Sequence, residues 1–204
     1  MAKVIFDISM SLDGFMTSDN TRAEEPMGDG GQQLHEWADG GGGGADERNR
    51  ALLSAERAAA GAMIAGRRTY DTSLAWWGAD GPSGPARVPL VVVSHSEPDP
   101  MTIPEGGVYT FVDGIEPALE RARQIAGSKN VSIMGGAAIG QQYIKAGHVD
   151  ELLIHLVPVL FHRGTQMFDL IGGDRLQLEP IEVIDTPTAT HLRYRVVAGV
   201  SAPA

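Results

Sequence analysis

The chain has 204 residues, of which 43% are hydrophobic, and a formal net charge of −10; this suits one globular domain, residues 1–204, with a sizeable core. The acidic balance argues against nucleic acid and anionic membranes as partners, although a small anionic cofactor responds to the local field instead. Because there is no cysteine, disulfides and thiolate catalysis are excluded. The chain also lacks a signal-like start and any run near the ~20 apolar residues of a membrane span, so we expect a cytoplasmic protein.

The amino-terminal part alternates strand and helix patterns around one long insertion. A strand is predicted over 4–10, and a helix over 46–60, where apolar residues recur at helical spacing. Between them, residues 17–47 are polar and rich in glycine, with five consecutive glycines at 40–44 and a short helix predicted over 32–37. Long loops inside a compact domain tend to be functional or mobile.

The rest of the chain continues this alternation. Strands are predicted over 62–65, 88–94, 107–112, 130–134 and 149–160, helices after 66, 113 and 136, and a closing pair of strands over 177–197. Asp113 and Glu116 form an Asp-x-x-Glu helix-start signal. Pro158, inside the strand predicted over 149–160, indicates a sheet edge or a bulge, and an apolar edge strand there favours dimerisation.

Strands that alternate with helices indicate a largely parallel sheet that is covered on both faces. The closing run of strands indicates an antiparallel hairpin at one edge of this sheet. The sequence therefore predicts an α/β fold, and ligands of such folds bind where the carboxyl ends of the strands meet.

The segment Gly66-Arg67-Arg68-Thr69 follows a predicted strand and is suited to holding phosphate. Free backbone N–H groups at a helix start carry partial positive charge. Two guanidiniums add forked donors, and a threonine hydroxyl adds one more.

A second strand-to-helix turn, Gly135-Gly136-Ala137-Ala138-Ile139-Gly140, is rich in small residues and does not match the Rossmann fingerprint. Taken alone, it has two interpretations: close approach of a phosphate to the backbone, or close packing of a helix on the sheet. Ser94-His95 ends a third strand, so all three segments are expected at one edge. We expect the glycine turn to bind a pyrophosphate, and the arginine turn with Ser94-His95 to bind a 2′-phosphate end, which predicts NADPH rather than NADH.

These three segments are similar to the nucleotide-binding segments of the dihydrofolate reductase fold. The chain resembles in particular a bacterial branch that contains the C-terminal reductase domain of riboflavin-biosynthesis deaminase-reductases. Further signatures of that branch are Ser9-Met10-Ser11-Leu12-Asp13-Gly14-Phe15, Gly147-His148-Val149-Asp150-Glu151-Leu152 and Val157-Pro158-Val159-Leu160. The resemblance runs from Val4 to about Val197. It implies a three-layer α/β/α sandwich, an NADPH-dependent oxidoreductase and a homodimer.

Two departures from that branch concern the substrate side. Phe161-His162-Arg163-Gly164-Thr165 stands where the branch usually has a glycine-rich turn, and the insertion at 17–47 lies where the substrate side is built. The identity of the substrate is therefore not carried over from the resemblance.

Three acidic residues are candidates for a catalytic role. Glu36, beside His35 and Trp37, suits either a proton donor near a flat heterocycle or a solvated helical turn. Asp29 shares with Glu36 the region that corresponds to the first helix of the folate enzymes, where the resemblance places one acid. Asp13 is explained as a turn former before glycine, with a role beside the nicotinamide as the alternative.

Other chemistry finds little support in the sequence. His148, His155 and His162 recur every seven residues, but a turn position and a mid-strand position do not converge, and we expect no metal. Ser94 and His95 are neighbours on a strand, so they point to opposite faces and do not form a catalytic pair. Tyr70, Trp76 and Trp77 are expected to pack the nearby loop.

The leading hypothesis is an NADPH-dependent reductase that transfers hydride to a small heterocycle of the pterin, folate or pyrimidine kind. Two alternatives stay open. One is an NADP(H)-binding module or sensor with little catalysis, because no catalytic acid is unambiguous. The other is a stand-alone riboflavin-pathway reductase that acts on 5-amino-6-(5-phosphoribosylamino)uracil.

Overall fold

Eight strands form one mostly parallel sheet in the computed structural model, which describes residues 2–39, 46–96, 98–169, 172 and 175–197. They are β1 (Val4–Ser11), β3 (Ala60–Gly66), β4 (Leu90–Val93), β5 (Tyr109–Val112), β6 (Asn130–Met134), β7 (Glu151–Val157), β9 (Gln177–Asp185) and β10 (Thr190–Val197). Their order across the sheet is β5-β4-β3-β6-β1-β7-β10-β9. Only the pairings of β10 with β7 and with β9 are antiparallel, which confirms the predicted fold class. A short pair, β2 (Phe15–Thr17) and β8 (Thr165–Gln166), forms a second sheet.

Helices cover both faces of the large sheet. They are α1 (Glu36–Asp39, preceded by a 3-10 turn over Gly31–His35), α2 (Glu47–Ala59), α3 (Arg67–Trp77), α4 (Ile115–Ala126) and α5 (Ala137–Lys145). The main core lies between the sheet and α4 with α5. Two smaller apolar clusters lie on the opposite face, one beneath α3 and one around Leu34 and Trp37. Within the described ranges, every helix is too short or too polar to traverse a lipid bilayer.

The strand predicted over 149–160 is shorter and more central than expected. β7 ends at Val157, because the proline that follows has no N–H to donate to a ladder. β7 pairs with β1 on one side and β10 on the other, so the prediction of a sheet edge at 149–160 is wrong. Of the described strands, β5 and β9 occupy the ends of the sheet.

Two further local predictions are corrected by the structure. α4 starts at Ile115 with Gly114 at its N-cap and no capping side chain; the Asp113 carboxylate instead contacts the His95 ring, so the capping signal is wrong. Trp76 is 70% exposed and does not pack the loop. The short helix expected over 32–37 and the long helix over 46–60 are both confirmed; the glycine run at 40–44 lies outside the described residues.

Candidate cofactor and active site

The arginine turn begins α3 directly at the carboxyl end of β3. Gly66 is its N-cap, and no side chain in the described part of the chain caps the first N–H groups of the helix. Arg67 reaches across to the end of β4, where Nη1 donates to Ser94 Oγ at 3.2 Å and to the Ser96 carbonyl at 3.0 Å. Its Nε donates to Asp71 at 2.7 Å. A guanidinium and a hydroxyl therefore meet beside an uncapped helix start.

The two adjacent arginines point in different directions. Arg68 Nη2 donates to Thr21 Oγ1 at 2.9 Å, which joins α3 to the loop after β2. Thr69 faces the glycine turn, since a Cβ built on Gly135 would lie 2.5 Å from Thr69 Cγ2. The sequence predicts that both arginines lie beside Ser94 at a 2′-phosphate site. In the structure Arg67 contacts Ser94, whereas Arg68 contacts Thr21.

The glycine turn places a second uncapped helix start beside the first. Gly135 and Gly136 have φ of 62° and 83°, conformations that favour glycine, and no side chain caps α5. Because β3 and β6 are neighbours, the starts of α3 and α5 lie side by side.

The later residues of the glycine turn serve packing. A Cβ on Gly140 would lie 2.0 Å from Phe6 Cζ, so its lack of a side chain lets α5 approach β1. Ala137 and Ile139 are buried in the main core, whereas Ala138 is exposed. Packing therefore accounts for the later part of this turn, and the phosphate interpretation concerns Gly135, Gly136 and the first backbone N–H groups of α5.

His95 lies just beyond Ser94 with its ring exposed, and its Nδ1 is 2.7 Å from Asp113 Oδ1. Ser94 itself is buried, and its hydroxyl donates to the Ser96 carbonyl. The two side chains therefore separate, as strand alternation predicts. Ser94 faces Arg67, while His95 stands at the solvent side of the same strand end.

Asp13 holds two distant loops together. Its carboxylate accepts from Ser11 Oγ at 2.7 Å and from the backbone N–H groups of Phe161 at 3.1 Å and His162 at 2.7 Å. Partial desolvation raises the pKa of Asp13, but these hydrogen bonds outweigh it and lower the pKa to about 2. Asp13 is therefore ionised at neutral pH and accepts three hydrogen bonds that join the two loops.

The other two acidic candidates lie on the loop and helix after β2. Asp29 accepts from Arg22 Nη1 at 2.6 Å and from Asn20 at 2.9 Å, and these bonds, the Arg22 bond most, lower its pKa. An ionised, paired Asp29 is a poor proton donor. Glu36 begins α1 and is exposed; the residue that packs inward is Trp37, whose Nε1 donates to Ser9 Oγ at 3.0 Å.

A buried polar network on β1, β7 and β10 was missed by sequence reasoning. His155 contacts both Asp7 and His191, and His191 contacts Asn49. Its members are far apart in the chain, which hides the cluster. The available signal was β1 itself, where Asp7, Ser9 and Ser11 alternate with apolar residues, although a core strand of a parallel sheet is usually apolar throughout. Among the described residues, no group of three or more potential ligands suits a metal ion.

The family model of the RibD C-terminal domain matches residues 2–192. The chain belongs to the RibD C-terminal domain family. No curated protein matches the chain. The resemblance to the dihydrofolate reductase-like branch that contains this domain is thereby confirmed.

Solved structures share the fold of this RibD C-terminal domain protein. A protein of Shewanella sp. PV-4 that is named for riboflavin biosynthesis is 22% identical, with a TM-score of 0.68 over 97% of this chain and 100% of that one. A pyrimidine reductase-like protein of Corynebacterium diphtheriae is 16% identical, with a TM-score of 0.65 over 97% and 92%. A Thermotoga maritima diaminohydroxyphosphoribosylaminopyrimidine deaminase/5-amino-6-(5-phosphoribosylamino)uracil reductase is 12% identical, with a TM-score of 0.62 over 96% and 57%.

Replacing Asp13 with Asn is expected to lower the free energy of unfolding at neutral pH, because one amide oxygen replaces a carboxylate that accepts three hydrogen bonds. The folded pKa of about 2 lies below the ordinary value of 3.8. The carboxylate's contribution is therefore present above about pH 4 and is lost as the pH falls towards about 2. Denaturant unfolding of both proteins across this range measures the difference. The exposed Glu120→Gln is the control, and an unfolding difference that does not shrink with acid contradicts the assignment.

Proposed function

We propose that this chain is an NADPH-dependent reductase that transfers hydride to a small pyrimidine-type heterocycle. The observation that carries the proposal is the pair of uncapped starts of α3 and α5, side by side at the ends of adjacent strands, with Arg67 and Ser94 on their flank. Backbone N–H groups and a guanidinium form the donor set that phosphates require. Membership of a reductase family supports the same class of reaction.

The donor set fits a dinucleotide that carries an extra phosphate. The 2′-phosphate would take the Arg67 and Ser94 donors, and the exposed His95 ring offers a surface for the adenine. The pyrophosphate would lie over Gly135 and Gly136, where the absence of side chains allows close approach. The glycines also leave room for Thr69, which stands between the two helix starts.

The substrate would lie over the carboxyl end of β1, between the cofactor and Trp37. When bound, NADPH supplies the hydride for a C=N-type bond; the chain binds, orients and excludes water. Asp13 and Asp29 are both ionised and held by other partners, so they do not deliver the proton. Glu36, exposed at the start of α1, is the remaining acidic candidate.

Arg67→Gln is expected to raise the Kd for NADPH ~10–100-fold, since a charge-assisted hydrogen bond contributes about 1.5–3 kcal/mol. The Kd for NADH should change little, because NADH lacks the 2′-phosphate. Fluorescence titration of both nucleotides measures this, with Arg123→Gln on α4 as the matched control. Equal weakening of NADPH and NADH, or no weakening of either, contradicts the assigned orientation.

Oxidation of NADPH tests the reaction itself. The Thermotoga maritima relative is named as a reductase of 5-amino-6-(5-phosphoribosylamino)uracil, and we expect the chain to oxidise NADPH with this pyrimidine faster than with dihydrofolate. Steady-state absorbance of NADPH gives both rates under the same conditions. Tight NADPH binding without turnover of either compound would instead favour the NADP(H)-binding module.

We further propose that the chain forms a homodimer through β9 and β10. Register pairs Leu178 with Val196 and Val183 with Leu192, so all four share one face of the sheet. The β10 residues pack against the main core, but Val183 is 60% and Leu178 38% exposed. A second copy related by a two-fold axis would cover the exposed β9 residues of both subunits at once, because such an axis places the same patch of each subunit against the other.

The double variant Leu178→Glu/Val183→Glu is expected to shift the protein from dimer to monomer, because two buried charges per subunit oppose the contact. Sedimentation equilibrium measures the mass, with Leu160→Glu, another exposed leucine, as the control. A wild-type protein that is already monomeric at tens of micromolar, or a dimer untouched by the variant, contradicts the proposed interface.

A further inference from the structure

Two buried histidines face each other across β7 and β10. His155 and His191 are paired in register, are only 3% and 1% exposed, and have their Nδ1 atoms 2.8 Å apart. The outer nitrogens also have partners, since His155 Nε2 lies 2.9 Å from Asp7 Oδ1 and His191 Nε2 lies 2.9 Å from Asn49 Oδ1. The rings therefore form the middle of a continuous buried chain of hydrogen bonds.

Counting protons along this chain gives an odd number. Both outer partners are oxygen acceptors, so each Nε2 carries a proton and donates it. In this orientation of the Asn49 amide, its Nδ2 donates to Thr188 Oγ1 at 3.0 Å. The contact between the two Nδ1 atoms needs one more proton, because two bare ring nitrogens at this distance repel. Three protons on two rings make one imidazolium and one neutral imidazole.

The net charge of the ionisable groups around the two histidines is −1, which one extra proton would balance. The charged groups near the pair come from β1, α2, β7, β10 and the residue before β1, and they comprise three carboxylates and two cations: Asp7, Glu56, Glu151, Arg193 and Lys3. One imidazolium makes this group neutral overall, although Lys3 itself is half exposed, and so lowers the cost of an unpaired charge beside the buried rings. Asp46, which precedes α2, is already paired with Arg48.

The neighbouring indole also favours a cation, and the charge lies on the His155 side. The Trp37 ring centroid is 4.0 Å from that of His155 and 4.9 Å from that of His191, within the range of a cation–π contact. Burial, and then the charge of His155, lower the pKa of His191 to about 4. His191 therefore stays neutral near pH 7 and accepts at its bare Nδ1, and the extra proton lies on His155 Nδ1, between the two rings.

We propose that His155 and His191 share one extra proton and, as a buried imidazolium pair, position the buried Trp37 and thereby α1, which borders the substrate side. Trp37 is held at two points, by its donation to Ser9 Oγ and by the face of the pair. It carries with it α1 and the preceding turn, whose Leu34 is fully buried. That α1 borders the substrate rests on the proposed reductase function; the charge of the pair does not.

Ring nitrogens of ¹⁵N-histidine-labelled wild-type protein give the proton count directly, because protonated and bare nitrogens have different chemical shifts and couplings. At neutral pH we expect three protonated nitrogens and one bare nitrogen across the pair. His155→Gln and His191→Gln assign the signals, and His148→Gln, at a half-buried histidine that contacts Glu116, serves as the control. One bare nitrogen in each ring would mean a neutral pair with a reversed Asn49 amide, and it would overturn the proposal. This measurement needs neither NADPH nor substrate, so it is separate from any failure of the reductase assay.

The positioning role has its own readout. In a Trp76→Phe/Trp77→Phe background Trp37 is the remaining indole, and we expect His155→Gln to increase its quenching by acrylamide several-fold, whereas His148→Gln leaves it unchanged. In the reductase assay the same variant should raise KM for the pyrimidine with little change in the Kd for NADPH. Unchanged quenching in a folded His155→Gln protein would refute the role. If that variant does not fold, the wild-type proton count still decides the charge of the pair.

Discussion

The contact between Gly140 and the Phe6 ring fixes the geometry on which the cofactor end depends. A Cβ at residue 140 would lie 2.0 Å from the ring, so α5 sits on β1 at a separation that only glycine allows. Ile139, one residue earlier, approaches Gly66 on β3: a Cβ built on Gly66 would lie 3.8 Å from its Cβ. The start of α5 is thereby set against the start of α3. A displacement of α5 would move its first backbone N–H groups away from those of α3.

β1 serves two opposite purposes along one strand. Phe6 and Ile8 face the main core, whereas Asp7 and Ser9 face the helices α1 and α2. Buried polar groups cost free energy unless they are hydrogen-bonded, and every partner of these two side chains comes from another element. The central strand is therefore stable only when β7, β10 and α1 are all in place.

The difference between local and long-range information explains what the sequence could predict. Strands β3, β4 and β6 and the turns after them follow from apolar runs, glycines and arginines that are close together in the chain. The direction of Arg68 depends on Thr21, and the partner of Asp113 is His95 rather than the N–H groups of α4. β7 lies inside the sheet because it pairs with β1 and β10. Its apolar residues and the proline that follows it do not indicate these partners. Periodicity shows which face a residue takes, but it does not show what lies opposite.

The same distinction separates the two ends of the candidate site. The proposed cofactor end consists of short segments that each contain a strand, a turn and a helix start. A few adjacent residues are therefore enough to predict a phosphate site from the sequence. The substrate end is joined across the chain: Asp13 holds the backbone of Phe161 and His162, and Gly164 lets β8 approach Thr17, because a Cβ there would lie 1.9 Å from the Thr17 carbonyl oxygen. The one glycine retained in that segment is thus the one that the pairing of β2 with β8 requires. A substitution on one side of such a pair is therefore expected to disturb the segment on the other side as well.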